Sequence, residues 1–344
     1  MVRAVQLTLP ALFVTCSVLA EDTNNIEQIT VEVSATANKE PVGTFDAPVS
    51  NLEYDPRVDL QSRNMAEAQA DVTIRGGIFE NTGFRVGSST LSVRQIENSS
   101  DEIPIAPQML TGPSVLTGAD NALYGMNSSV GTVSFGWRPI TSTGSISLGT
   151  GTNGFNLQSI HAAQSQKLDS KPDWRLGFEG EYSHSKSDGS IENGDHDFER
   201  ASARIQLASS TSQTDFMFGR QEKFFGWPNL YTPFNFNETE DLETKLFMLN
   251  HKQMYGESNS LEVTGYYRKH NDHYVLSREN PAIFEAFHET TVKSLALSGR
   301  HRLNDRYAIN YAGQFIADEI ESTSLENNFT SRNYTKLSIL PEYK

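Results

Sequence analysis

Arg175-Leu176-Gly177-Phe178-Glu179-Gly180-Glu181-Tyr182 alternates residue by residue, with Leu176, Phe178, Gly180 and Tyr182 on one side and Arg175, Glu179 and Glu181 on the other. Successive side chains of a β-strand point to opposite faces, so this octet predicts a strand with one apolar and one charged face. The pattern recurs. Leu261, Val263, Gly265 and Tyr267 stand against Glu262, Thr264 and Arg268, and Tyr307, Ile309, Tyr311, Gly313 and Phe315 stand against Arg306, Asn310 and Gln314. Read through from Ile140, the texture predicts about ten strands, near 143–151, 154–165, 174–187, 200–209, 213–222, 243–253, 259–273, 289–302, 306–318 and 332–341.

The connections between these segments sort by parity. Short turns are expected at 210–212, 255–258 and 304–305, and long polar loops at 188–199, 223–242, 274–288 and 319–331. Short turns on one rim and long loops on the other, joining strands of roughly ten residues, is the pattern of an outer-membrane β-barrel. A soluble sandwich has no reason to sort its loops in this way.

Composition narrows the remaining classes. The 344 residues carry 28 Lys and Arg against 43 Asp and Glu, a formal charge of −15, which disfavours partners bound through phosphate neutralisation, nucleic acid above all. With 24 Gly, 19 Phe, 12 Tyr and one Cys, a disulfide scaffold, a zinc module and a helical bundle are all disfavoured. Arg3 followed by a small and apolar run to Ala20, before Glu21-Asp22, reads as a cleaved signal peptide over 1–20. Gln6, Thr8, Pro10 and Thr15 dilute that run below what a membrane anchor needs.

Residues 21–69 are polar and broken by Pro41, Pro48 and Pro56, with one β-prone run at Ile29-Thr30-Val31-Glu32-Val33-Ser34. From Ala70 to Trp137 the chain is Gly-rich, with short alternating runs at 72–75, 84–87 and 131–135 and helical stretches expected near 107–110 and 119–124. This predicts a small α/β domain.

Three motifs in this order carry a resemblance. Ile29 to Thr36 is similar to the TonB box and the Ser/Thr-Ala segment after it; Asp71-Val72-Thr73-Ile74-Arg75-Gly76-Gly77 is similar to the Ile-Arg-Gly strand of a plug. Leu110-Thr111-Gly112-Pro113-Ser114-Val115-Leu116, then Leu123-Tyr124-Gly125 and Val130-Gly131-Thr132-Val133, are similar to the plug's last motif. The chain therefore resembles the N-terminal part of the TonB-dependent outer-membrane receptors, in which a plug sits inside a 22-stranded barrel. Thr111 stands where the family has Arg and Val130 where it has Gly, and the usual Asp-Gly-Val turn is replaced by Phe84-Arg85-Val86-Gly87-Ser88, which marks a divergent branch.

The resemblance implies a mainly β fold: a small α/β plug domain followed by an antiparallel, incomplete transmembrane β-barrel with about 10 of the expected 22 strands. The implied division is a signal peptide at 1–20, a periplasmic arm with the TonB box at 21–39, a plug at 40–138 and a partial barrel at 139–344. Because a plug of about 100 residues does not fit inside ten closed strands, an open sheet and a fragment of a longer receptor are expected. The implied partners are a TonB-type energy-transducing periplasmic protein, outer-membrane lipid and a small-molecule ligand of unknown identity. The implied function is energy-coupled uptake of a scarce nutrient complex across the outer membrane; a non-transporting outer-membrane binding or signal-sensing protein, or an inactive truncated product, is the alternative reading.

Within that frame, Ile29, Thr30, Val31, Glu32, Val33, Ser34 and Ala35 would add as a strand to the partner's sheet edge. Arg75, Gly76 and Gly77 form a candidate hinge, with Arg75 locking the plug to a wall carboxylate. Phe79, Asn81 and Phe84 in the plug, and Trp227, Tyr231 and Phe234 in the longest expected loop, are the candidate ligand contacts. Glu238, Glu240, Asp241 and Glu243 lie beside the latter group, without the regular spacing of a Ca²⁺ loop.

No catalytic residue, cofactor or metal site is expected. Gly149-Thr150-Gly151-Thr152-Asn153-Gly154 satisfies a phosphate-loop pattern but has no helix after it and reads as a hairpin turn. His288-Glu289-Thr290-Thr291-Val292 lacks the second His of a zinc helix, and His270 and His273 fall on opposite strand faces.

Overall fold

The structure is a computed structural model that describes residues 46–52, 55–62, 70–91, 102–256, 258–325 and 330–343. The expected signal peptide, the arm and the TonB box lie outside the described residues. Six short strands come first: β1 Val58–Ser62, β2 Ala70–Ile74, β3 Thr82–Val86, β4 Ser89–Leu91, β5 Ser114–Leu116 and β6 Gly131–Phe135, with α1 Ala119–Tyr124 before β6. β1 and β2 form a ribbon, and β4-β3-β6-β5 form a mixed sheet in which β3 and β6 are parallel. The helical stretch expected at 119–124 is α1, and Pro107–Met109 forms a single 3-10 turn.

Ten long strands follow: β7 Thr143–Thr150, β8 Asn156–Leu168, β9 Lys171–Ser187, β10 His196–Ala208, β11 Ser212–Pro228, β12 Asn237–Tyr255, β13 Asn259–Val275, β14 Glu285–Arg302, β15 Tyr307–Ser322 and β16 Ser331–Tyr343. Each pairs antiparallel with its neighbour in sequence, so they form one meander. It does not close, since β7 and β16 have one neighbour each.

Register explains why the sheet has two unlike faces. Phe216, Leu249, Gly265, Leu295 and Phe315 oppose one another in turn across five strands, and the four side chains among them are all exposed on the outer face. One residue along, Met217, Met248, Tyr266, Ser294 and Ile316 form the matching inner row, and all are buried. A one-residue slip would exchange the two rows, so the register is fixed by what covers the inner face.

The cover is the small domain. Val86, Ile105, Met109 and Phe135 share one core cluster with Met217, Leu246, Val292 and Ile316 of the long strands. Burying side chains of this size contributes about 1.5–3 kcal/mol each. The approach is closest at Gly219 on β11, where a Cβ would lie 1.8 Å from the Pro104 carbonyl oxygen, so only glycine fits.

The expected loops are shorter than the sequence suggests. β12 runs for 19 residues, and the segment expected as a loop over 223–242 contracts to 229–236. The ladder continues through polar residues, pairing Phe224 with Asp241 and Trp227 with Glu238, because main-chain hydrogen bonds do not require apolar side chains. The parity of the connections remains: two to four residues at 169–170, 209–211, 256–258 and 303–306, against five to nine at 151–155, 188–195, 229–236, 276–284 and 323–330.

Gly219→Ala should displace residues 102–106 and destabilise the fold by about 1–3 kcal/mol, the usual cost of overpacking. Urea unfolding followed by tryptophan fluorescence measures the loss; an unchanged midpoint would mean that Pro104 does not seat on β11.

Candidate functional site

The inner face of β8 to β11 is ionic. Arg200 is fully buried and donates to Glu181 from Nε at 3.2 Å and Nη2 at 2.9 Å. Arg204, equally buried, donates to Glu179 at 2.5 Å and to Asp215 at 3.1 Å, while His161 meets the second oxygen of Glu179 at 2.9 Å. Strand alternation places Arg200, Ser202, Arg204 and Gln206 side by side facing inward, and β9 sets Glu179 and Glu181 opposite them.

These charges hold the small domain at both ends. The Arg138 carbonyl accepts from Arg204 Nη1 at 2.8 Å and Gln206 Nε2 at 3.1 Å, and the Ile140 N–H donates to Gln206 at 2.9 Å. The Arg204 guanidinium also lies over the Trp137 ring, 5.4 Å from its centre. Arg200 Nη1 donates to the Asp46 carbonyl at 2.5 Å. Between these ends the contacts are mostly small and neutral. The Ser88 hydroxyl donates to Thr264 at 2.8 Å, Ser89 meets Ser294 at 3.1 Å, and the Thr90 N–H donates to Gln314 at 3.0 Å. Lys336 Nζ donates to the Gly125 carbonyl, and Lys223 pairs with Glu102 at 3.1 Å.

At the rim of longer connections an aromatic cluster forms from Phe198, Phe225, Leu230 and Leu242, with Trp227 and Tyr231 packed against it. Glu238, fully buried, accepts from the Tyr231 N–H at 2.9 Å, the Thr232 N–H at 3.0 Å, the Thr232 hydroxyl at 2.5 Å and the Tyr274 hydroxyl at 2.8 Å. Tyr231 donates its hydroxyl to Glu240, and its ring meets Tyr274 edge-on at 5.6 Å. Arg278 ties its own connection to that of 188–195 and to the first residue of β12, through Asp195 at 2.7 Å, Asn193 at 3.4 Å and a main-chain bond to Asn237 at 2.9 Å. Phe198, Phe225 and the carboxylates of Glu238 and Glu240 are buried within this rim, with Trp227 and Tyr231 half-buried at its edge.

The expected ligand contacts separate. Trp227 and Tyr231 join the rim cluster, whereas Phe234 lies 70% exposed and outside it. Phe84 is a correction of placement: it lies on β3, buried in the core, its backbone opposed by Val133 on one side and Leu91 on the other, and not on an outward-facing loop. Phe79 and Asn81 form a 3-10 turn before β3, where the Asn81 carbonyl accepts from the Val130 N–H at 3.3 Å. Neither belongs to the cluster of Phe198, Phe225, Leu230 and Leu242 that Trp227 and Tyr231 join.

Arg75 is a second correction. It is exposed, at φ +53°, in the turn after β2, and its N–H donates to the Arg57 carbonyl; it has no carboxylate partner among the described residues. The left-handed turn is continued by Gly76 at φ +72°. Gly77 is held by close packing, since a Cβ there would lie 2.3 Å from the Val130 side chain. The small-domain arginine that does meet the long strands is Arg85, which donates to Ser298 at 2.9 Å and Ser134 at 3.3 Å and lies 4.8 Å from the centre of the Tyr124 ring. Burial pushes its guanidinium below the ordinary value, against the pull of Glu262 and Tyr124.

Sequence reasoning missed Arg200, Arg204, Asp215 and Glu102. The alternation of 200, 202, 204 and 206 was the available signal, but polar alternation alone does not say what covers the polar face. The carboxylates flanking the aromatic rim divide between faces: Glu238 and Glu240 point inward and are buried, whereas Asp241 and Glu243 line an outer-face depression of about 740 Å³ with Arg220 and His273. Among the described residues, no group of three or more His, Cys, Asp or Glu side chains could hold a metal ion.

No protein-family model and no curated protein matches the sequence. Solved structures do match the fold. The copper transporter OprC aligns over 82% of this chain at 15% identity and a TM-score of 0.63. The pyoverdine outer-membrane receptor FpvA from Pseudomonas aeruginosa PAO1 aligns over 81% at 14% identity and 0.58, and the alcaligin outer-membrane receptor FauA from Bordetella pertussis over 86% at 12% and 0.53. The chain covers 44%, 45% and 56% of these three in turn. The fold is thus that of the TonB-dependent receptors, a plug against an open ten-stranded portion of barrel wall.

Arg204→Met should destabilise the chain by about 3–5 kcal/mol, because Glu179 and Asp215 lose their shared buried cation. Adding Glu179→Gln and Asp215→Asn should recover most of that loss in urea unfolding. A triple variant as unstable as the single one would show that the ion pairing is not what Arg204 contributes.

Proposed function

We propose that the chain is the plug and the first ten strands of an outer-membrane receptor for energy-coupled uptake of a scarce nutrient complex. The observation that carries this reading is the sheet itself: an exposed outer face bearing Phe216, Leu249, Leu295 and Phe315, and an inner face whose charges are covered by a plug. An apolar outer face suits lipid, in which strands persist only when their main chain is paired. A covered polar interior suits a gated passage. The domain division that fits is signal peptide 1–20, arm 21–39, plug 40–138 and barrel 139–344.

The rim of longer connections faces outward from the cell and takes the ligand at Trp227, Tyr231 and their neighbours; a siderophore, a cobalamin-like compound or another small organic complex fits the aromatic character. Ile29 to Ala35 serve as the strand gripped by a TonB-type periplasmic protein. Pyoverdine and alcaligin receptors and a copper transporter among the similar structures support uptake over catalysis.

Two measurements test this. Phe234→Cys in the 229–236 connection should react with a membrane-impermeant maleimide on intact cells, whereas Gly256→Cys should react only after lysis; the reverse labelling would invert the proposed orientation. Deleting Ile29–Ala35 from the gene in place should abolish energy-dependent accumulation of radioiron from a panel of ferric siderophores while cell-surface binding persists. Accumulation at the undeleted level would favour a receptor that binds or senses without transport.

A further inference from the structure

On the outer face of β7 to β10 one register row is built without bulk. Gly144, Ala162, Gly180 and Ala203 oppose one another in turn, and the row ends against Phe218 on β11. The rows on either side carry large exposed side chains, Ile160 and Tyr182 toward the rim of longer connections and Phe178, Ile205 and Phe216 toward the short turns. Between them lies a groove of about 560 Å³.

Nothing in the fold requires glycine at 180. Glycine inside a strand weakens it, and where it persists it marks a bulge, a bend or a close approach. The pairing of β9 with both neighbours is unbroken through Gly180, the one register shift falling at Lys167/Leu168, and Gly180 is not among the glycines with positive φ. Apart from its chain neighbours, a Cβ there would meet no heavy atom nearer than the Ser202 carbonyl oxygen at 3.9 Å. Gly219 on the inner face is the opposite case, since the Pro104 carbonyl leaves it no room. The approach that remains at Gly180 is from outside the sheet.

The chemistry of the groove names the occupant. Gln164 is its one polar side chain on this face, because Glu179 and Arg204 beside the floor face inward and pair with each other. The main chain of the floor is engaged in the strand ladder. A ligand rich in donors and acceptors would leave them unpaired here, whereas a hydrocarbon chain has none to lose. From Gly144 to Ala203 the floor crosses three strand spacings, about 14 Å, close to half the thickness of a hydrocarbon core, about 15 Å. Barrel strands tilt by about 35–45°, so a row across them climbs through one leaflet.

We propose that the groove over Ala162, Gly180 and Ala203 holds one acyl chain of a membrane lipid. This occupant presupposes that the outer face meets lipid, as in the proposed receptor. Elsewhere on that face, as at Gly265 and Leu295, lipid exchanges freely.

The full chain is folded in mixed micelles of dodecyl maltoside and a phosphatidylethanolamine bearing a diazirine on one palmitoyl chain, then irradiated, and the adducts are located by peptide mass spectrometry. Residues 160–164, 178–182 and 201–205 should be labelled at least threefold above residues 263–267 and 293–297. Gly180→Leu, and separately Ala203→Phe, should fill the groove and bring its labelling down to that of 263–267, which should not change. Equal labelling of the two regions would overturn the proposal while leaving the outer face in lipid, and absence of label from both would remove the lipid-facing reading and the proposal with it. Enrichment that survives both substitutions, or loss of groove labelling as the chain dimerises at higher concentration, would also overturn it, the latter in favour of a second copy as the occupant.

Discussion

Charges on the inner face of the long sheet must be matched in a space from which the plug excludes water, and this requirement governs how the two parts fit. A buried arginine without partners costs several kcal/mol, and a buried carboxylate likewise. On β9 to β11 the match is made within the wall, Arg200 with Glu181 and Arg204 with Glu179 and Asp215. The guanidinium hydrogens left over then point at the plug, where the carbonyls of Asp46 and Arg138 accept them. The ion pairs thus position the plug through donors that the carboxylates do not use.

How much of this is legible in the sequence follows from the same chemistry. The apolar half of each alternation locates a strand because the outer face must be apolar, so Leu176 to Tyr182 and Tyr307 to Phe315 mark β9 and β15. The ends of strands are another matter. Beyond the apolar rows the ladder runs on through Glu238 to Glu243 and through Tyr274, and polar alternation reads as loop. In the plug, Phe84 looks like an exposed aromatic because it follows a turn, yet parallel pairing of β3 with β6 buries it. That pairing joins residues some fifty positions apart, which no local pattern encodes.

The candidate site divides along the same line. Trp227 and Tyr231 are legible as an aromatic group because they lie close together in sequence. Phe198 and Leu242, which complete the cluster, come from neighbouring strands and are adjacent only through register. Arg75 and Arg85 show the converse: a motif draws the eye to Arg75, but the left-handed turn leaves it exposed, and the arginine that enters the interface is the one on a buried strand.

The attachment of the plug is uneven. Along β3, β4 and the turn between them the contacts at Ser88, Ser89 and Thr90 are neutral hydroxyl, main-chain N–H and amide bonds, each contributing on the order of 0.5–1.5 kcal/mol, and Arg85 adds one charged donor to Ser298. At the exit, residues 137–140 are held by a charged donor, an amide that both donates and accepts, and a guanidinium over an indole ring. Hydrogen bonds to charged donors contribute about 1.5–3 kcal/mol, and a cation over a desolvated ring about 2 more. Residues 137–140 also run on into β7, so one charged attachment coincides with the covalent one, while Arg200 at Asp46 and Lys223 at Glu102 supply charged attachments elsewhere. The plug is therefore held by charged donors of the wall at Asp46, at Glu102 and at residues 137–140, and by weaker neutral bonds along the turn between β3 and β4.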